Sequence, residues 1–126
     1  MAYLKPPWFV TNVFNRIARL TGVGGSQTLI ITRRSGGEQR IPVVVPVVDG
    51  VRYLVSTRGE SQWVRNVRAN PVIALGADRY RASEVPVELR APIIAAYRPL
   101  AGKVVEGYWR ELPDDADHPV FALAPE

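Results

Sequence analysis

The chain has 126 residues, 47% of them apolar, and a formal net charge of +4 at pH 7. That is the length of one domain with apolar residues enough for a core, which excludes an intrinsically disordered chain. There is no cysteine and His118 is the only histidine, so disulfides, thiolate chemistry, multi-histidine metal sites and a Ser-His-Asp triad elsewhere are excluded.

Arginine supplies most of the positive charge, and its planar fork favours phosphate, carboxylate or nucleic-acid partners. Glu111, Asp114, Asp115 and Asp117 lie together late in the chain, so the rest is more basic than the average. The first residues lack the pattern of a signal peptide and no apolar run has bilayer length, so a cytoplasmic protein, at most peripheral to a membrane, is expected.

Residues 8–20 are predicted to form an amphipathic helix. Val10, Val13, Phe14, Ile17 and Leu20 fall at helical spacing opposite Thr11, Asn12, Asn15, Arg16 and Arg19, with Pro6 and Pro7 before and Gly22 after. Such a helix covers one side of the domain. With Trp8 and Phe9 beside Lys5, Arg16 and Arg19, residues 5–20 also suit a peripheral contact with an anionic membrane.

Two β-branched runs follow, 27–33 and 39–48, joined by a basic Ser-Gly-Gly turn. From Ile41 to Val48 every residue is apolar, so this strand is expected to be buried on both faces. Asp49-Gly50 signals a tight hairpin into a strand over 51–57. A short helix over 60–69 is predicted to stop at Asn70-Pro71. A strand over 71–76 turns through Ala77-Asp78 into 79–84. Pro86 is expected in the first turn of a helix running to about 98, followed by a short helix over 103–110 and a strand over 119–123. Hairpins dominate, so the sheet is read as mainly antiparallel and the fold as a small, mainly β (α+β) barrel flanked by helices. Residues 1–126 form one domain, with 1–22 its N-terminal helical segment.

Three segments carry candidate chemistry. Pro42 and Pro46 remove donors from one side of the second strand, which marks a protected edge or an edge facing a planar ligand. In the turn, Arg33, Arg34 and Arg40 are either solvated or gathered for an anion. Gly36-Gly37 would let backbone amides approach it, and Arg33 and Arg40 are expected to converge from facing strands. The third segment runs from Ser56 to Pro71. Ser56, Thr57 and Gly59 end a strand just before a helix N-terminus, and Trp63, Asn66 and Val67 share a helix face apart from Arg65 and Arg68. Aromatics do not cluster with arginines on any predicted strand, so nucleic-acid binding is not expected.

The strand–basic turn–strand unit, Trp63-Val64-Arg65-Asn66-Val67-Arg68-Ala69, the 85–97 block and the closing His118-Pro119-Val120-Phe121 occur in this order. Together they resemble the deazaflavin-dependent nitroreductase family over residues 26–123. The resemblance implies a split antiparallel β-barrel and coenzyme F-420 (8-hydroxy-5-deazaflavin) as cofactor, with FMN a lesser alternative. It implies that Arg33, Arg34, Ser35, Gly36 and Arg40 bind the anionic tail. By the same resemblance Pro42 and Val43 pass the ring, while Ser56, Thr57, Gly59, Trp63 and Asn66 close the site. Thr32 and Gly37 depart from the family's glycine and basic residue at those places. The implied activity is hydride transfer from the reduced cofactor to a quinone, nitroaromatic or activated alkene. No catalytic side chain and no metal are implied, and Tyr97, Tyr108 and Trp109 are candidate substrate contacts. The alternative is a non-catalytic binder of a fatty acid, FMN or haem. A homodimer through the sheet is a further expectation.

Overall fold

The computed structural model describes residues 27–126, and the helix predicted over 8–20 lies outside them. Among them seven strands make one antiparallel sheet: β1 (Gln27–Thr32), β2 (Glu38–Val43), β3 (Val47–Val48), β4 (Val51–Val55), β5 (Val72–Leu75), β6 (Asp78–Glu84) and β7 (Val120–Pro125). Their order is β2-β1-β5-β6-β7-β4-β3. Among the described residues the α-helices are α1 (Gln62–Ala69), α2 (Ala91–Ala101) and α3 (Lys103–Glu111).

Turn chemistry sets the strand pairing. Asp49 and Gly50 both take positive φ (52° and 84°) between Val48 and Val51, the mirror-image turn whose twist matches two antiparallel strands. Leu75 pairs with Asp78, so the β5–β6 turn is Gly76-Ala77 and not Ala77-Asp78. The one-residue shift puts glycine where φ is 59°.

Side-chain alternation then gives the sheet two cores. Leu54, Phe121 and Leu123 join Leu29, Ile31, Ile73, Leu75 and Tyr80 in one cluster, closed by Val64 and Val67 of α1. Their neighbours Tyr53, Val55 and Val120 point the other way, into a cluster with Ile93, Ile94, Tyr97, Val105 and Trp109 of α2 and α3. Strands β4 and β7 are therefore packed on both faces.

The predicted 39–48 strand is two strands, interrupted at residues 44–46. Nor is it buried throughout: Pro42 is exposed, and Ile41 and Val43 are half-buried. Among the described residues β2 lies at the end of the sheet with β1 as its only partner. A ladder through Pro42 requires its donorless nitrogen to face the free side, so among the described residues the edge reading holds for Pro42, whereas Pro46 lies in the break before β3. Pro46 contributes only its carbonyl, which accepts the Tyr53 N–H at 3.0 Å.

The helix expected from Pro86 is likewise divided. A 3-10 turn spans Val87–Leu89, and α2 begins at Ala91 with Pro92 in its first turn, where a missing N–H costs nothing.

Pro42 and Val43, at one end of the strand order, line the same cavity as Leu54 and Val55 of β4 near the other end. The sheet thus rolls back on itself into a barrel that stays open along this seam.

Phe121 is 2% exposed at the centre of the first cluster. Phe121→Ala is expected to cost about 3–5 kcal/mol in urea denaturation. Val104→Ala, at an 81% exposed position, is expected to stay within about 0.5 kcal/mol of the parent.

Candidate functional site

The basic turn is a defined structure. The Arg33 N–H donates to the Gly37 carbonyl and the Gly36 N–H to the Arg33 carbonyl, both at 2.9 Å. Gly36 and Gly37 have φ of 89° and 82°, conformations that side-chain-bearing residues rarely adopt. The turn is pinned to α1 by Asn66, whose Oδ1 accepts from the Arg34 backbone N–H at 3.2 Å and from Arg34 Nε at 3.1 Å. Asn66 Nδ2 donates to Gln39 Oε1 at 2.9 Å. Arg33, Arg34, Ser35, Gln62 and Asn66 line a groove of about 330 Å³ there.

Arg33 and Arg40 do not converge. The ladder places Arg40 opposite Ile30, whereas Arg33 already lies in the turn beyond the Thr32–Glu38 pair. The two are three residues apart along the hairpin, about 10 Å. Arg40 is exposed and pairs instead with Glu38 at 3.1 Å, an interaction across the same strand.

The seam described above opens a second groove of about 300 Å³. Pro42, Val43, Ser56, Thr57 and Trp63 all line it. Trp63 also packs on Phe121, ring centroids 5.9 Å apart, so the core holds one side of its indole. α1 separates the grooves: Ser61 and Trp63 face the apolar one, Gln62 and Asn66 the basic one. Gly36 and Arg40 line neither, and Gly59 is buried beneath the groove.

Gly59 has φ 79°, and a Cβ built there would lie 3.5 Å from the Asp117 carbonyl oxygen. Its carbonyl accepts the Ser56 hydroxyl at 2.6 Å and the Ser61 N–H at 2.8 Å. Residues 56–61 are thus a self-bonded loop pressed against 112–117.

The opposite wall was less visible in the sequence. Tyr97, Ala101, Val104 and Val105 come from α2 and α3, and Arg58 from the loop. Of these only Tyr97 was singled out, because the packing of α2 and α3 on the β3–β4 end of the sheet is a long-range contact with no local pattern. Tyr97 is 7% exposed, and burial pushes its phenol up to about 12. The other two candidate substrate aromatics differ. Tyr108 packs under the Arg58 guanidinium, 5.9 Å from its ring centroid. Trp109 is 5% exposed and stacks on His118 at 4.0 Å and 7°.

His118 supports the site from behind. It is fully buried, with Nδ1 2.9 Å from the Ser56 carbonyl and Nε2 2.6 Å from the Leu112 carbonyl. It therefore ties the groove strand to the loop after α3. Arg90, 5% exposed, anchors the same loop. It donates to the Asp115 carbonyl at 3.2 Å, to Val85 at 2.9 Å and to the Glu84 carboxylate at 3.3 Å. Burial draws its pKa down against the opposing pull of Glu84. Glu84 also pairs with Arg68 of α1 at 2.7 Å, and Arg68 in turn holds the Glu60 carboxylate below the usual range.

A family model described as F-420H(2)-dependent quinone reductase matches residues 12–122. No curated protein sequence matches the chain significantly. Among solved structures, an F-420 reductase is 19% identical with a TM-score of 0.58, covering 82% of this chain and 87% of its own. A second, the F-420-H2 dependent reductase FDR-A, is 22% identical with a TM-score of 0.51, covering 79% and 93%. HutZ, the haem storage protein of Vibrio cholerae, is 17% identical with a TM-score of 0.62 and covers 90% of each chain. At these identities the structures establish the shared split-barrel fold.

Asn66→Ala is expected to destabilise the protein by about 1–3 kcal/mol in urea, because the Arg34 amide and Gln39 lose their partner. A loss near zero would contradict the pinning role. The folded state keeps the Tyr97 proton up to about pH 12, whereas an unfolded tyrosine loses it near pH 10. Its contribution to stability is therefore complete below the lower value and lost as pH rises through the upper one. Urea midpoints measured across this window should fall less steeply for Tyr97→Phe than for the parent.

Proposed function

Because the chain belongs to the F-420H(2)-dependent quinone reductase family, we propose that this F-420-dependent reductase acts on a planar quinone-type acceptor. Nitroaromatics and activated alkenes share the same planar, electron-poor character. The carrying observation is that an apolar groove and an arginine-lined groove meet across the first turn of one helix. Together they match a cofactor with a flat ring at one end and an anionic tail at the other.

The residues present fit that cofactor. Pro42, Val43 and Trp63 supply apolar surface for a ring face, and Arg33, Arg34 and Ser35 supply cationic and hydroxyl donors for a phosphate. Positive φ at Gly36 and Gly37 keeps the turn free of side chains where a tail would approach. Asn66 acts through the turn: its amide is spent on Arg34 and Gln39, so it positions the tail site. The bound cofactor supplies a hydride, and the protein's part is to orient, desolvate and hold. Tyr97 stays a neutral phenol at working pH. Its hydroxyl is suited to donate to the oxyanion that forms as the acceptor takes up the hydride, before a solvent proton completes reduction. Ala101, Val104 and Val105 form the apolar remainder of that wall.

A haem-holding role is less well supported by the residues. An axial imidazole would have to come from His118, and both of its ring nitrogens already face backbone carbonyls in the core.

Isothermal titration of the full chain with oxidised F-420, and separately with FMN, tests the reading. Binding of F-420 in preference to FMN is expected, with Arg33→Ala weakening it about 10- to 100-fold. Undetectable F-420 binding by the parent, or affinity unmoved by Arg33→Ala, would contradict it.

A further inference from the structure

We propose that Arg58 sets the acceptor preference of the seam groove, selecting planar acceptors that carry an anionic substituent such as a carboxylate. The proposal rests on the reading just given and adds a specificity-determining residue to it. Among the described residues that line this groove, Arg58 is the one that carries a charge. The rest of the lining is apolar or bears neutral hydroxyls. Of these, Thr57 and Tyr97 can donate to the oxygen of any quinone, whereas the Ser56 hydroxyl is spent on the Gly59 carbonyl at 2.6 Å. Only a cation adds a Coulomb attraction that an anionic acceptor feels and its neutral counterpart does not.

Arg58 is held in place without being neutralised. It stands in the self-bonded loop over residues 56–61, and its guanidinium lies over the ring of half-buried Tyr108, 5.9 Å from the centroid. The π face attracts the cation but offers no acceptor atom to its N–H groups. Arg40, Arg68, Arg81, Arg90 and Arg98 all pair with carboxylates. Arg58 pairs with none among the described residues, although the acidic stretch through Asp117 backs the neighbouring Gly59. Its planar fork of five donors, the geometry that matches a carboxylate, is therefore unspent.

The place of Arg58 in the groove says which ligand it meets. Tyr108 belongs to α3, whose Val104 and Val105 line the same groove, so Arg58 leans to the acceptor wall. Pro42, Val43 and Trp63 hold the other side. Arg58 is exposed and Val104 is 81% exposed, so the two stand where the groove opens to solvent, whereas Tyr97 is 7% exposed. A free cation beside an exposed apolar side chain complements an amphiphilic anion. Its ring goes inward toward Tyr97, and its charged group stays at the mouth, where it keeps part of its hydration.

The test runs the full chain with reduced F-420 and two acceptors, menadione and the same ring bearing a propanoate side chain. The readout is the ratio of kcat/KM for the acid to kcat/KM for the neutral quinone. Arg58→Gln is expected to lower this ratio about three- to tenfold, through the KM of the acid. Arg58→Lys, which keeps the charge and loses the fork, should fall between the two. Added salt should lower the ratio of the parent more than that of the glutamine variant. A ratio unmoved by Arg58→Gln would overturn the proposal and leave the functional reading intact. If that variant also bound oxidised F-420 less tightly, the guanidinium would belong to the cofactor instead. A parent protein that reduces neither quinone with reduced F-420 would overturn the functional reading and the proposal with it.

Discussion

A missing amide proton at Pro42 shapes the open edge of this barrel. Pro42 stands where the two ends of the rolled sheet approach each other, Pro46 precedes β3 beside β4, and neither can donate to a neighbouring strand. Had the 39–48 run been free of proline, its apolar β-branched residues would favour one continuous strand and a closed ladder. Instead β2 ends at Val43, β3 is two residues long, and the seam between β2 and β4 remains open. Pro42 leaves β2 without a donor toward the groove, and the strands around it still face a core, so Ile41, Val43, Val44, Leu54 and Val55 line it.

An open seam is useful only if its far end is held. α1 does this with the few polar side chains it directs inward. Asn66 is 3% exposed and commits both ends of its amide to the basic hairpin. Trp63, one turn earlier, rests on Phe121 and turns its remaining surface to the groove. On the other side of the barrel, Arg90 and His118 fasten the 112–118 loop by its backbone carbonyls. That loop in turn backs Gly59. The site is thereby built from loops whose backbones are bonded to buried side chains, so little ordering is left to be done when a ligand arrives.

Much of this was legible in the sequence, and for local reasons. Asp49-Gly50 marks its hairpin by conformational preference alone, the β-branched runs mark their strands, and Trp63, Asn66 and Val67 mark one face of α1 by helical spacing. Pro42 and Pro46 marked an edge for the same kind of reason. What was not legible depends on register and on distant packing. Arg33 and Arg40 look like facing partners when counted outward from the glycines. The Arg33–Gly37 hydrogen bond, however, draws Arg33 into the turn and leaves Arg40 beside Ile30. The wall made by Ala101, Val104 and Val105 could not be read either, because α2 reaches the groove only through its packing on β3 and β4, with α3 packed on α2.

The central claim is that the seam groove and the basic turn form one site divided by the first turn of α1. Backbone amide chemical shifts followed by NMR during titration with oxidised F-420 test it most directly. The account predicts that amides of residues 33–37 and 56–63 shift together and saturate with one dissociation constant. Shifts confined to one of the two segments, or centred on the opposite sheet face around Ile30, Val72 and Ala74, would contradict it.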